Sequence, residues 1–125
     1  MTQILRCVQQ DFDTVILPLS DINSVPDNLT DVLFNKTLTK SIALKGMLNP
    51  LLVCTDEDFK NTDIRKFERR PVPENITETY RCLIGNNRYR YAKENKYTHI
   101  ECHIVSTYDE VKQAHIKTQI EPRKM

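Results

Sequence analysis

Tryptophan is absent from these 125 residues, and glycine occurs only twice, as Gly46 and Gly85. With so few glycines, each is expected where the backbone needs freedom from a Cβ. No apolar run approaches membrane-span length and no signal-peptide pattern is seen, so no membrane partner is expected. An excess of one charge is missing too. The net charge is +1, which excludes a polycation that holds nucleic acid by bulk charge. The four cysteines, Cys7, Cys54, Cys82 and Cys102, show no C-x-x-C spacing, whereas a zinc site wants close ligand pairs. Cys102 and His103 are adjacent and would point to opposite faces of a strand. The cysteines read as reduced core residues, and the expected compartment is cytoplasmic, in a cell or in an infected host. His99, His103 and His115 stand alone, with no mutual spacing that suggests a site.

What is there fits one modest domain over residues 1–125, with an apolar fraction of 39%. Charge is unevenly placed. Residues 11–31 carry Asp11, Asp13, Asp21, Asp27 and Asp31 and no Lys or Arg. Residues 81–98 carry Arg81, Arg88, Arg90, Lys93 and Lys96 against Glu94 alone. Such a basic stretch is a solvated helix face or the setting of a small anionic ligand; charge alone favours the solvated face.

Short apolar runs alternate with helical segments, which predicts an α/β (α+β) domain with a small mixed sheet and packed helices. Thr14 to Leu19 predicts a first strand ended by Pro18. Asp27 or Asn28 can cap a helix over Leu29 to Lys45, with Leu38 and Ile42 on one stripe, and Gly46 closes it. Leu48 to Cys54 and Tyr80 to Ile84 read as further strands, and Asn87 to Asn95 as a helix. Between them, residues 56–78 are charged, carry Pro71 and Pro73 and keep no period, so they read as an insertion or long excursion with a short helix near Ile64 to Phe67. Ile100, Cys102 and Ile104 alternate with Glu101 and His103, which predicts a half-buried strand. Thr107 or Asp109 can cap a last helix with Val111, Ala114 and His115 on one face.

The informative stretch is Tyr80 to Lys93, YRCLIGNNRYRYAK. A strand ends at a glycine and a basic helix begins at once. The free N–H groups of a helix N-terminus attract anions. Gly85 lets the backbone come close, Asn86 and Asn87 cap or donate, and Arg88 adds a permanently charged fork suited to phosphate. The plain alternative is a strand-turn-helix with Asn as cap and Arg in solvent. Tyr89, Tyr91 and Tyr97 interleave with the basic residues; they stack on bases or, more simply, pack the helix on the sheet.

Lys40 to Val53, KSIALKGMLNPLLV, together with Tyr80 to Val105, resembles the N-terminal domain of the ParB/sulfiredoxin superfamily. Ser41-Ile42, Gly46 and Asn49-Pro50 match the "SI…GLLQP" box. Gly85, Arg88, Arg90 and Ala92-Lys93 match the "GERRxRAAK" box, and Ile100 to Val105 matches the strand after it. The resemblance implies a ParB/sulfiredoxin-like fold and a nucleoside triphosphate, CTP or ATP, with Mg2+. Gly46, Met47, Asn49 and Pro50 would border the base. Gly85, Asn86, Asn87, Arg88 and Ser41 would hold phosphate. Gln119 and Glu121 stand loosely where the family's third box supplies metal ligands.

Asn86 departs from the pattern, since ParB has glutamate there and sulfiredoxin has cysteine. Without a thiolate at that point, sulfinic acid reduction lacks its nucleophile. The expected function is therefore a ParB-like binding domain, a switch or DNA-associated accessory factor, of the kind found in a virus or mobile element. Its partners would be a nucleotide and DNA or a DNA-bound protein, and a homo-oligomer is allowed. The alternatives are an enzyme on the same scaffold (nucleotide hydrolase, kinase or nuclease) and an interaction domain whose pocket has decayed.

Overall fold

A computed structural model describes residues 2–8, 12–25, 40, 42–44, 46–68 and 71–120. Its elements are β1 (Ile4–Leu5), β2 (Val15–Pro18), β3 (Ile22–Asn23), β4 (Leu51–Thr55), α1 (Asp56–Asn61), β5 (Tyr80–Ile84), α2 (Asn86–Glu94), β6 (His99–Ile104) and α3 (Tyr108–Ile120). The predicted helix over 29–45 lies outside the described residues except for Lys40 and residues 42–44, which are helical. The architecture is α/β with one mixed sheet, as the sequence predicts.

β4 is the centre. It lies antiparallel to β5 (Leu52↔Ile84, Val53↔Cys82) and parallel to β6 (Leu51↔Cys102, Val53↔Ile104). Leu51, Leu52, Val53 and Cys54 are all fully buried, the continuous apolar run of a strand covered on both faces. One face carries a core of Leu51, Val53, Cys82, Ile100, Cys102 and Ala92 of α2. The other carries Cys54, Leu83, Val105, Phe59 of α1 and Val111 of α3. Thr107 starts α3, its Oγ1 accepting from the Glu110 N–H at 3.2 Å. All four cysteines are buried thiols outside any disulfide. Burial pushes the Cys54 thiol up to about 12, so it is an inert core group.

Three expectations are corrected. The first concerns the sheet edges. β2 is the second strand; β1 pairs parallel with β6 and β3 parallel with β5. Strands of two residues are too short to show a period.

The second concerns residues 56–78, which open with a helix absent from the prediction. Thr55 caps α1 by accepting from the Asp58 N–H at 3.1 Å, and three acidic residues occupy its first turn. A 3₁₀ turn at Asp63–Lys66 follows, near the short helix that was expected. Phe59 and Ile64 anchor the stretch in the core. Arg81 fastens its far end. It belongs to no exposed basic element: it is 4% exposed, within β5. Its Nε donates to Asp56 Oδ1 at 2.7 Å, Nη1 to the Pro73 carbonyl at 2.9 Å and Nη2 to the Glu74 carbonyl at 3.0 Å. The guanidinium also lies 4.5 Å from the Phe59 ring centre.

The third concerns Glu101, expected on a wet face. It is buried at 5% exposure. Its Oε1 accepts from the Cys7 N–H at 2.9 Å and its Oε2 from the Thr14 hydroxyl. These bonds tie the N-terminal segment to β6.

Burial pushes the carboxyls of Asp56 and Glu101 up, but hydrogen bonds from Arg81 and Lys60, and from Thr14 and Cys7, outweigh it and hold both below their ordinary values. A depressed folded pKa stabilises above the unfolded value and loses that contribution as pH falls through the folded one. The urea midpoint is therefore expected to stay level down to the ordinary carboxylate values, 3.8 for Asp56 and 4.5 for Glu101, and to fall below them. Glu101→Gln should flatten the acid limb; an unchanged limb would contradict this assignment.

Candidate functional site

Because β4 and β5 run antiparallel, the start of β4 lies beside the end of β5. That places Pro50 and Leu51, where the chain enters β4, beside Gly85 and Arg88, where it leaves β5. The two motifs, far apart in sequence, meet for this reason.

Gly85 adopts φ 106° and ψ 23°, a left-handed conformation that turns the strand directly into α2. A Cβ there would stand 3.2 Å from Leu51 Cγ and 3.5 Å from Arg88 Nη1. Gly85→Ala is expected to cost about 1–3 kcal/mol from backbone strain and to press on the Leu51 side chain. Urea unfolding checks the first effect, and a cost below about 0.5 kcal/mol would contradict it. No side chain caps α2 at Gly85, so the first-turn N–H groups of Asn86, Asn87 and Arg88 have no intrahelical acceptor.

Asn86 is 8% exposed and accepts, through Oδ1, a 2.6 Å hydrogen bond from the Ser24 hydroxyl. Asn87 is half-buried. Tyr89 donates its hydroxyl to the Leu19 carbonyl at 3.0 Å and packs against the first core, which pins α2 to the sheet. Arg90 is exposed and faces Glu94 at 3.8 Å, so the outer face of α2 is a solvated one.

Arg88 is the unusual group. Its Nη1 makes one long bond, 3.4 Å, to the Pro50 carbonyl. Burial pulls the guanidinium below its ordinary value, opposed only by the Cys82 and Cys7 sulfurs. Cys7 cannot serve as a counter-ion, because burial and Glu101 push its thiol up to about 11. Among the described residues no carboxylate pairs with Arg88.

The other loop is tightly built. Gly46 has φ 81°, and its N–H bonds the Ile42 carbonyl at 2.9 Å to close the helical turn. The Val8 N–H bonds the Met47 carbonyl at 2.8 Å. Met47 and Pro50 are fully buried, so their side chains form wall rather than surface. Asn49 is 4% exposed, and its Oδ1 has no hydrogen-bond partner among the described residues. The contacts that join the two segments are Arg88 to the Pro50 carbonyl and Gly85 against Leu51. Ser41 and Glu121 lie outside the described residues. Gln119 stands in the last turn of α3, whose Val111 packs on the sheet face opposite α2, and its side chain is outside the described set. Ser24 was missed in the sequence, since nothing in the polar segment around it distinguishes it.

No family model matches the sequence, and no curated protein does. Among solved structures the chain is similar to a sulfiredoxin from Arabidopsis thaliana, with 21% identity and a TM-score of 0.48 over 81% of this chain and 94% of that one. It is also similar to the C-terminally truncated chromosome-partitioning protein ParB from Caulobacter crescentus complexed with CTP-gamma-S. There the identity is 21% and the TM-score 0.49, over 75% of this chain. The chain spans 44% of that ParB chain. The likeness is one of backbone fold. Among the described residues no helix is long and apolar enough to cross a membrane.

Proposed function

We propose that this chain binds a nucleoside triphosphate or another phosphorylated ligand between residues 46–50 and 85–88, and acts as a ligand-dependent switch or DNA-associated accessory factor. The observation that carries this is Arg88. A half-buried guanidinium with no carboxylate partner among the described residues is costly unless something else supplies the negative charge. Here it lies in the first turn of α2, where free N–H groups and the helix dipole favour the same charge. A phosphate would be met by both. Asn49 Oδ1, a buried acceptor with no donor among the described residues, supports a ligand that brings an N–H group beside its anion, as an amino-bearing base does.

Binding is favoured over turnover by the chemistry of Asn86, which offers neither a nucleophile nor a titratable base. Among the described residues no three His, Cys, Asp or Glu side chains group as metal ligands. The described site supplies cationic and amide groups, which do not fit a magnesium ion held by protein oxygens. Contact with DNA would fall to Arg90 and Lys93 on the exposed face of α2 and to Lys96 just beyond its end, and would weaken steeply with salt.

The test is a thermal-shift and calorimetric screen against the four ribonucleoside triphosphates, with and without magnesium. One or more should raise the midpoint in a saturable way, because a ligand that binds only the folded state stabilises it. No shift with any of them at millimolar concentration would contradict the proposal.

A further inference from the structure

Asn86 opens α2 almost fully buried, yet only half of its carboxamide is used. Oδ1 accepts from Ser24 Oγ at 2.6 Å. Among the described residues nothing accepts from Nδ2, which carries two N–H donors. The sheet sets the place of Ser24. It follows β3 directly, and β3 is held parallel to β5 through Ile22↔Tyr80 and Asn23↔Arg81. The strand that delivers Asn86 therefore also fixes the hydroxyl that orients it.

Resting on the ligand site proposed above, we infer that Ser24 is a positioning residue that makes Asn86 a one-way donor. A free carboxamide can present either its oxygen or its amino group to a ligand. With Oδ1 held by a hydroxyl, only N–H donors remain to face the anion. These add to the first-turn N–H groups and to Arg88, so donors dominate that turn. Such a turn selects ligands whose facing oxygens are all acceptors, as in an ionised phosphoryl group. It disfavours ligands that present a hydroxyl or amide N–H to α2. Asn49 Oδ1, the orphan acceptor, lies in the other loop, so donors and acceptor are segregated between the two walls.

The test uses inorganic tripolyphosphate without metal as the probe, on the full chain labelled with nitrogen-15. Titration should move the Asn86 side-chain amide resonances of the wild-type chain. Ser24→Ala should weaken affinity about fivefold, the worth of one hydrogen bond, and Ser24→Thr, which keeps the hydroxyl, should restore it. Asn86→Asp should remove binding altogether while keeping α2, because a carboxylate at a helix N-terminus is itself favourable. A role confined to folding would change stability in these variants and leave the side-chain amide signals unmoved by the probe. Wild-type binding with those signals unmoved, or Ser24→Ala binding as the wild type does, overturns the assignment to Ser24. Absence of wild-type binding overturns the ligand site itself.

Discussion

Replacing Arg88 with methionine should raise the thermal midpoint of the ligand-free chain and remove its affinity for triphosphates. The two effects have one cause. A half-buried guanidinium with no carboxylate partner among the described residues is a destabilising group, and an apolar side chain of similar length in its place is neutral or stabilising. The bond given up is weak, a single 3.4 Å contact with the Pro50 carbonyl. A gain of about 1 kcal/mol, or a few degrees in a domain of this size, is expected. The affinity loss should be on the order of 100-fold, because charge-assisted bonds to phosphate are worth about 1.5–3 kcal/mol each. Arg88→Lys should restore part of it, as a point charge without the planar fork. Thermal unfolding with and without ligand reads both effects. A loss of more than about 1 kcal/mol in the ligand-free state would mark Arg88 as structural.

Arg81→Ala should have the opposite profile, with a large loss of stability and no specific effect on the ligand. Arg81 is the same residue type a few positions earlier, but it is fully partnered. It pairs with Asp56, donates to the carbonyls of Pro73 and Glu74, and stacks over Phe59. Its removal leaves those carbonyls without their donor and the Asp56 carboxylate with Lys60 alone, and opens space beside Phe59. Breaking a buried pair in this way costs about 3–5 kcal/mol, a large share of the 5–15 kcal/mol typical of a domain. Limited proteolysis should then cut first within residues 56–78, which Arg81 fastens to the sheet. A cost below about 1 kcal/mol in urea unfolding would contradict this role.

The contrast between these arginines shows what could be read from the sequence. Composition grouped Arg81 and Arg88 in one basic stretch, because a charge count carries no information about partners. Arg81 sits on a strand whose neighbour ends at Thr55, one residue before Asp56, and that pairing is set by the β4–β5 register rather than by any local pattern. Glu101 was placed on a wet face because alternation assumes that one side of the sheet is wet. Here α2 covers one face, α1 and α3 cover the other, and Glu101 bonds to Cys7 and Thr14. β5 was legible to the residue, since Tyr80 to Ile84 is bounded by Gly85. α1 was not, because six residues are too few for a helical period to appear. The candidate site was legible as two boxes, and the glycines marked both turns. The isolation of Arg88, the orphan oxygen of Asn49 and the hold of Ser24 on Asn86 needed three dimensions.

The most direct test is a nuclear magnetic resonance titration of the nitrogen-15-labelled chain with the triphosphate that stabilises it most. The account predicts saturable shifts centred on the backbone amides of Gly85, Asn86, Asn87 and Arg88 and on the side chain of Asn49, with smaller changes elsewhere. Shifts centred away from the two loops, or none at millimolar ligand, would contradict it.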